Sequence, residues 1–125
     1  ETSKEASTEW LTALLLEAKV PGFVRGKYYV YTLKLRKNLP KNTSEKRQTK
    51  MPNSGNGRFY VGMTGLHPYH RYLNHIRGYK ASWAANKMAI TMTGFEGPMT
   101  REEAEAREPA RAQELRKEGY DVHSN

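Results

Sequence analysis

The sequence predicts an α+β domain in which helices flank a small three-stranded antiparallel sheet, with an extra helix at the N-terminal end. Two segments, 27–35 and 58–64, show the period-two alternation that is typical of strands. Helix start and stop signals bound 68–78 and 100–119, and a third strand is predicted between these helices at 88–95. At 125 residues, the chain is long enough for one such domain with a modest core.

The chain is predicted to divide into a helical extension at 1–24 and one domain at 25–125. Within the domain, a polar stretch at 36–57 separates the first two strands and shows no hydrophobic periodicity. Antiparallel strands need only a short connection, so this stretch is interpreted as an insert. The extension is expected to form a helix that packs against the sheet, because its apolar residues form one stripe: Leu11, Leu14, Leu15 and Ala18.

The strand at 58–64 is the centre of the prediction. Its three apolar side chains fall on one face, whereas Tyr60, Gly62 and Thr64 fall on the other, so we expect a strand that is buried on one side. Glycine weakens the middle of a strand and usually marks a place where another backbone or a ligand comes close. Gly62 is therefore expected to mark a close approach.

The helix at 68–78 is predicted from Pro68, which suits a first helical position, and from Gly78, which suits a C-terminal cap. Arg71 and His75 are four residues apart and are therefore neighbours on the helix surface. One side of the helix is predicted to be apolar and contains Tyr69, Tyr72, Leu73 and Ile76. The opposite side contains Arg71, Asn74 and His75.

The last helix begins with a capping box, formed by Thr100 and Glu103. Its projection places Ala104, Glu108 and Leu115 in one narrow stripe, which should be buried. A buried carboxylate must be paired or must bind a metal ion. Glu108 is therefore the unusual residue of this helix, and its two expected partners are a metal ion and Arg111, through a salt bridge.

The distribution of charge favours a polyanionic partner. The net charge is +8, and residues 18–95 contain fifteen lysines and arginines but one acid, Glu45. Cations that are gathered without counter-charges repel each other unless a polyanion such as nucleic acid relieves them. We predict phosphate contacts from six basic residues, Lys46, Arg47, Lys50, Arg58, Lys80 and Lys87.

Composition excludes several other classes. The chain has no cysteine, so disulfides, thiolate catalysis and cysteine–zinc sites are excluded. The longest apolar run is three leucines, which predicts no membrane span, and no signal peptide is recognised, so an intracellular location is expected, in cytoplasm, nucleoid or nucleus. A two-metal nuclease needs several convergent carboxylates, which this sequence does not easily supply.

These residues resemble the GIY-YIG nuclease superfamily. Tyr29-Val30-Tyr31 resembles its first motif and Tyr60-Val61-Gly62 its second. Arg71 takes the place of the family's helix arginine, and His75 stands where members carry histidine or tyrosine. Glu108 matches the metal-binding glutamate, and residues 119–122 resemble the closing segment.

The resemblance implies a catalytic set of Tyr31, Tyr60, Arg71, His75 and Glu108. Glu108 would bind one Mg²⁺ or Mn²⁺ ion, and Arg71 would contact the scissile phosphate. The general base would be Tyr31, Tyr60 or His75, and the sequence leaves this choice open.

The function expected from the sequence is divalent-metal-dependent endonucleolytic cleavage of DNA, with RNA as a second possible substrate. One alternative is a nucleic-acid-binding module without catalysis, which Pro109, Tyr29 and the enlarged insert favour. Another is a subunit that docks proteins through its acidic C-terminal helix. Specificity would come from the insert, from a protein partner or from a further domain.

Overall fold

The computed structural model describes residues 26–53 and 55–124. The helix predicted in the N-terminal extension lies outside the described residues. The described chain forms, in order, β1 (Tyr28–Leu35), α1 (Glu45–Lys50), β2 (Arg58–Thr64), α2 (Pro68–Arg77), α3 (Trp83–Met88), β3 (Ala89–Met99), α4 (Arg101–Lys117) and β4 (Asp121–Ser124).

The strands form one mixed sheet with the order β3-β1-β2-β4. β1 is antiparallel to both β2 and β3, whereas β4 runs parallel to β2, with Arg58 opposite Asp121 and Val61 opposite Ser124. The predicted α+β class with flanking helices is confirmed, and the three predicted strands are antiparallel, but the sheet has a fourth, parallel strand that the prediction did not include. β4 was missed because four residues are too few for an alternating pattern to be recognised.

Helices cover both faces of the sheet. On one face, α2 and α3 lie over Tyr31, Leu33 and Tyr60. On the other face, α4 packs through small side chains against Val30 and Val61. The expectation of a half-buried central strand is therefore wrong, because Tyr60 on its polar side is as deeply buried as Val61 on its apolar side.

Helix α2 has the predicted ends but a different buried side. It begins at Pro68 after His67, and Gly78 ends it with a φ of 85°, in the left-handed region. The buried residues beyond the first turn are Leu73, Asn74 and His75, so the predicted division into an apolar and a polar side is wrong. The polar side is buried because the sheet presents a phenol, not an apolar surface, to His75.

Helix α4 confirms the capping box, since the Thr100 hydroxyl accepts from the Glu103 N–H and the Glu103 carboxylate accepts from the Thr100 N–H. Its buried residues are Ala104, Glu108, Ala112 and Leu115. The projection predicted three of these, Ala104, Glu108 and Leu115. The helix runs through Pro109, whose missing N–H leaves the Glu105 carbonyl without its usual helical donor.

The insert between β1 and β2 is anchored by Arg58. The guanidinium of Arg58 donates to the carbonyl oxygens of Arg36, Lys37 and Pro52 at 3.3, 3.0 and 2.7 Å. Only 2% of Arg58 is exposed. The prediction that Arg58 contacts phosphates is therefore wrong for the folded chain, because its donors are used to fasten the insert onto the sheet.

None of the helices formed by residues 26–53 and 55–124 combines the length and the apolar character that crossing a bilayer requires.

Candidate active site and nucleic-acid interface

Three buried side chains from three elements meet over the middle of β2. The Tyr31 hydroxyl from β1 lies 2.6 Å from Nε2 of His75 on α2. The Tyr60 ring from β2 lies 6.2 Å from the Tyr31 ring and 5.4 Å from the imidazole, measured between centroids. Tyr31 and His75 are completely buried, and Tyr60 is 2% exposed. The fold thus brings together residues that are 44 positions apart in the sequence.

Gly62 makes this cluster possible. It is the register partner of Tyr31 in the β1–β2 pair, so the two residues face the same side of the sheet. A Cβ on Gly62 would lie 2.5 Å from the Tyr31 hydroxyl oxygen and 2.7 Å from Cζ of the same ring. No side chain fits there, so Gly62 does mark a close approach, but the approaching group is the phenol of Tyr31 and not the backbone or ligand that was predicted.

Arg71 lies at the edge of the cluster, one helical turn before His75. Its guanidinium donates to the Lys80 carbonyl at 2.8 Å and also hydrogen-bonds to the phenol of Tyr31. The side chain is half-buried, in contrast to the completely buried residues beside it. Arg71 is therefore the member of the cluster that is best placed to meet a solvated anion.

The environment sets the protonation states of this cluster. Burial, followed by the neighbouring Tyr60, raises the pKa of Tyr31, whereas the charge of Arg71 acts in the opposite direction. Burial, followed by Arg71, lowers the pKa of His75 to about 4. At neutral pH, the pair therefore consists of a protonated phenol and a neutral imidazole.

A neutral imidazole has one acceptor nitrogen and one donor nitrogen. If Nε2 of His75 accepts from Tyr31, the imidazole proton is on Nδ1. Within the part of the chain that the structure describes, this Nδ1 is a buried polar atom without a hydrogen-bond partner.

Glu108 approaches the same segment of β2 from the other face of the sheet. It is 7% exposed, and its carboxylate accepts from the backbone N–H of Met63, the residue after Gly62. Burial raises the pKa of Glu108, and the Met63 N–H opposes this effect. β4 pairs with β2 only from Arg58 to Val61, so this pairing ends before Met63, the residue that Glu108 contacts.

Glu108 has no cationic partner within the described residues. Among residues 26–53 and 55–124, no lysine, arginine or histidine forms an ion pair with Glu108, and the arginine expected to do so, Arg111, pairs with Glu114. The same residues contain no group of three or more acidic or histidine side chains arranged to hold a metal ion. An ion there would have one protein carboxylate and would keep most of its waters, which is the behaviour of Mg²⁺.

The predicted phosphate-binding residues lie in two places. Lys46, Arg47 and Lys50 lie on α1 in the insert. The Arg47 guanidinium lies 4.2 Å from the ring centre of Trp83, and Lys87 lines the same depression beside α3. Lys80 is exposed beyond the end of α2, next to Arg71, the residue that donates to its carbonyl. The structure thus places Arg47 with Lys87, and Lys80 with Arg71.

Sequence reasoning did not identify an aromatic cluster beside these residues. The rings of His67 and Tyr69 are stacked, with centroids 5.6 Å apart and planes at 15°. Phe95 from β3 contacts both rings at 5.9 and 6.2 Å. His67 and Tyr69 flank Pro68 at the start of α2, which was a usable signal, but the position of Phe95 depends on a strand register that the sequence does not reveal.

Comparisons with protein-family models, with curated proteins and with solved structures each find no match for this chain.

Proposed function

We propose that this protein is a DNA endonuclease that hydrolyses phosphodiester bonds with one divalent metal ion, Mg²⁺ or Mn²⁺. The observation that supports this most strongly is the hydrogen bond between Tyr31 and a neutral His75, formed beside Arg71 and above Gly62. A phenol, an imidazole and a guanidinium in contact can move a proton and bind a phosphate, which are the two tasks of phosphodiester hydrolysis.

The Tyr31–His75 pair would handle the proton. The raised pKa of Tyr31 argues against a preformed phenolate as the base. The attacking water would instead give its proton to the Tyr31 oxygen while the phenolic proton passes to Nε2 of His75. The water oxygen would form the new bond to phosphorus as the bond to the leaving oxygen breaks. Among the three candidate bases, this scheme makes His75 the final acceptor and Tyr31 the relay.

Arg71 would couple substrate binding to this proton transfer. In the free protein, its charge contributes to the lowered pKa of His75. A phosphate bound to Arg71 through the planar guanidinium would offset that charge. The pKa of His75 would then rise when the substrate is present, so that the imidazole accepts a proton only when there is a bond to cleave.

Glu108 would hold the metal ion at the open edge of β2. A bound Mg²⁺ or Mn²⁺ supplies positive charge that stabilises the developing negative charge on the phosphate and the leaving oxygen. Glu108 suits this role because it is a buried carboxylate with no cationic partner in the described chain. The ion would replace the missing counter-charge.

The test is a plasmid-nicking assay with the wild-type chain. We expect nicks in the presence of Mg²⁺ or Mn²⁺ and none in EDTA, with cleavage that weakens steeply as salt is added because phosphate contacts provide most of the affinity. Tight binding to plasmid without a nick in either metal would contradict the proposal.

The second candidate is a nucleic-acid-binding module without catalysis. One observation favours it: Tyr31 and His75 are completely buried, so water reaches neither group without a local rearrangement. The same nicking assay separates the two functions, because the module binds plasmid with the same salt dependence but leaves it supercoiled.

A further inference from the structure

The aromatic cluster of Tyr29, His67, Tyr69 and Phe95, here called the aromatic platform, is buried at its base and exposed at its top. Tyr29 is completely buried, and its ring lies 6.4 Å from His67 and 6.1 Å from Phe95. Tyr69 and Phe95 are 40% and 39% exposed. Large aromatic side chains held rigidly at a surface lose little entropy when they bind a flat ligand.

The platform adjoins the candidate active site. In the β1–β3 register, Phe95 lies directly opposite Tyr31, and in the β1–β2 register Tyr31 lies opposite Gly62. The phenol of Tyr31 also hydrogen-bonds to Arg71, so Tyr31 links that guanidinium to Phe95. A strand bound with one phosphate at Arg71 would therefore have a neighbouring base within reach of the platform.

The charge around the platform selects the class of ligand. Arg71 lies on the same helix as Tyr69 and donates to the carbonyl of Lys80, and Glu96, the acid next to Phe95, is paired with Arg107. Cations interleaved with exposed aromatic rings are the usual surface of proteins that bind single-stranded nucleic acid. A second copy of the chain is a poor occupant, because each copy carries a net charge of +8.

We propose that Tyr69 and Phe95 stack on an unpaired base, so that the substrate cleaved at this site is single-stranded or has unpaired bases next to the cleaved bond. Bases inside a continuous duplex are stacked on each other and cannot lie on a protein ring, so the platform distinguishes these substrates from regular duplex DNA. This inference deepens the proposed function, but base stacking itself requires neither a metal ion nor a reaction.

The experiment is a fluorescence anisotropy titration of the full chain in EDTA, where no cleavage is expected. The probes are a labelled single strand of about 12 nucleotides, its duplex, and an abasic strand with the same number of phosphates. Tyr69→Leu keeps an apolar side chain but removes the flat ring. We expect it to weaken binding of the normal strand roughly 5- to 100-fold, and to leave the abasic strand and the duplex unchanged.

Three further variants keep the test decisive. Tyr69→Phe retains the ring and should bind the strand within about twofold of wild type. Ile90→Ala removes an apolar side chain that is 53% exposed and lies outside the platform, so it should bind like wild type. If Tyr69→Leu does not fold, Phe95→Leu makes the same test from β3, with the same expected loss.

Two results would overturn the inference. One is equal wild-type affinity for the normal and the abasic strand, and the other is a change of oligomeric state in Tyr69→Leu on gel filtration, which would make the platform a contact between copies. Failure of the inference is distinguishable from failure of the proposed function. Metal-dependent cleavage of the labelled single strand without base-dependent binding would overturn only the stacking, whereas base-dependent binding without cleavage of that strand in Mg²⁺ or Mn²⁺ would overturn only the nuclease.

Discussion

The two faces of the sheet are stabilised by different interactions. The face under α4 is packed with small apolar side chains, Val30 and Val61 from the sheet against Ala104 and Ala112 from the helix. Glu108 is the one ionisable group among the buried residues of α4. The face under α2 instead buries two phenols and an imidazole that hydrogen-bond across a sequence distance of 44 residues.

This difference separates a face that depends on apolar burial from a face that depends on particular hydrogen bonds. Apolar burial of the kind seen under α4 stabilises a fold without requiring particular partners. A buried polar cluster stabilises a fold only when its hydrogen bonds are made, and the fold is destabilised when one of these hydrogen bonds is lost. The face under α2 is therefore the face where a single substitution should have the most specific effects.

The pH dependence of unfolding should show the largest effect. The pKa of His75 is about 4 in the folded chain, against 6.5 for an ordinary histidine in the unfolded chain. Between these values the unfolded state binds more protons, so the wild type should lose up to about 3 kcal/mol of unfolding free energy from His75 as the pH falls from above 6.5 to 4.

His75→Asn removes this titration. Urea denaturation at several pH values should give a shallower loss of stability for the variant between pH 6.5 and 4, on top of a lower stability at pH 7. Parallel profiles for the two proteins would contradict a buried neutral imidazole.

Gly62→Ala should have the next largest effect. The new Cβ would lie 2.5 Å from the Tyr31 hydroxyl oxygen, so the phenol must move and its hydrogen bond to His75 must break. We expect the free energy of unfolding to fall by about 2–3 kcal/mol and nicking to be lost with it.

Gly94→Ala is the matched control on β3. A Cβ at Gly94 has no neighbour within 4 Å, so this variant should lie within about 0.5 kcal/mol of wild type and should nick plasmid normally. Equal stability of the two alanine variants in urea would show that the phenol does not depend on Gly62.

Glu108→Gln, on the other face of the sheet, should change the free energy of unfolding by a smaller amount. Unlike Gly62→Ala, it should increase this free energy at pH 7. Burial raises the pKa of Glu108, so the buried carboxylate destabilises the fold at pH 7, and this cost disappears as the pH falls through the raised pKa. The glutamine side chain can still accept from the Met63 N–H. We expect a gain of roughly 1 kcal/mol at pH 7 that vanishes under acid conditions.

The control is Glu105→Gln, one turn earlier on α4. Glu105 forms an exposed pair with Arg101, so its replacement should change the stability by no more than about 0.5 kcal/mol. A loss of stability in Glu108→Gln at pH 7 would mean that the carboxylate has an ion-pair partner after all.

Local signals in the sequence predicted the elements well. The capping box, the buried stripe of α4 and the strands β1 and β2 were all predicted from residues that are close in sequence, and the structure confirms them. Long-range partners were not predictable in the same way. The two sides of α2 did not predict which of its residues are buried, because His75 is hydrogen-bonded to the hydroxyl of Tyr31, which lies on another element.

Arg58 and the aromatic platform illustrate the same limit. Arg58 follows a lysine-rich insert, and the sequence alone suggests an exposed cation. Its guanidinium instead donates to carbonyl oxygens of a loop, and no local sequence pattern predicts the conformation of that loop. Phe95 joins Tyr69 only through the register of β3. Alternation therefore predicted the strands, but not the partners that each strand would meet.

The proposed cleavage requires Glu108 and the Tyr31–His75 pair to act on one phosphate from the two sides of β2. The most direct measurement is the rate of plasmid nicking in Mg²⁺ by Glu108→Gln, with plasmid binding measured in the same samples and Glu105→Gln as the control. We expect Glu108→Gln to nick plasmid at least about a thousandfold more slowly than wild type, with unchanged plasmid binding. Glu105→Gln should nick at the wild-type rate. Normal nicking by Glu108→Gln would contradict this requirement.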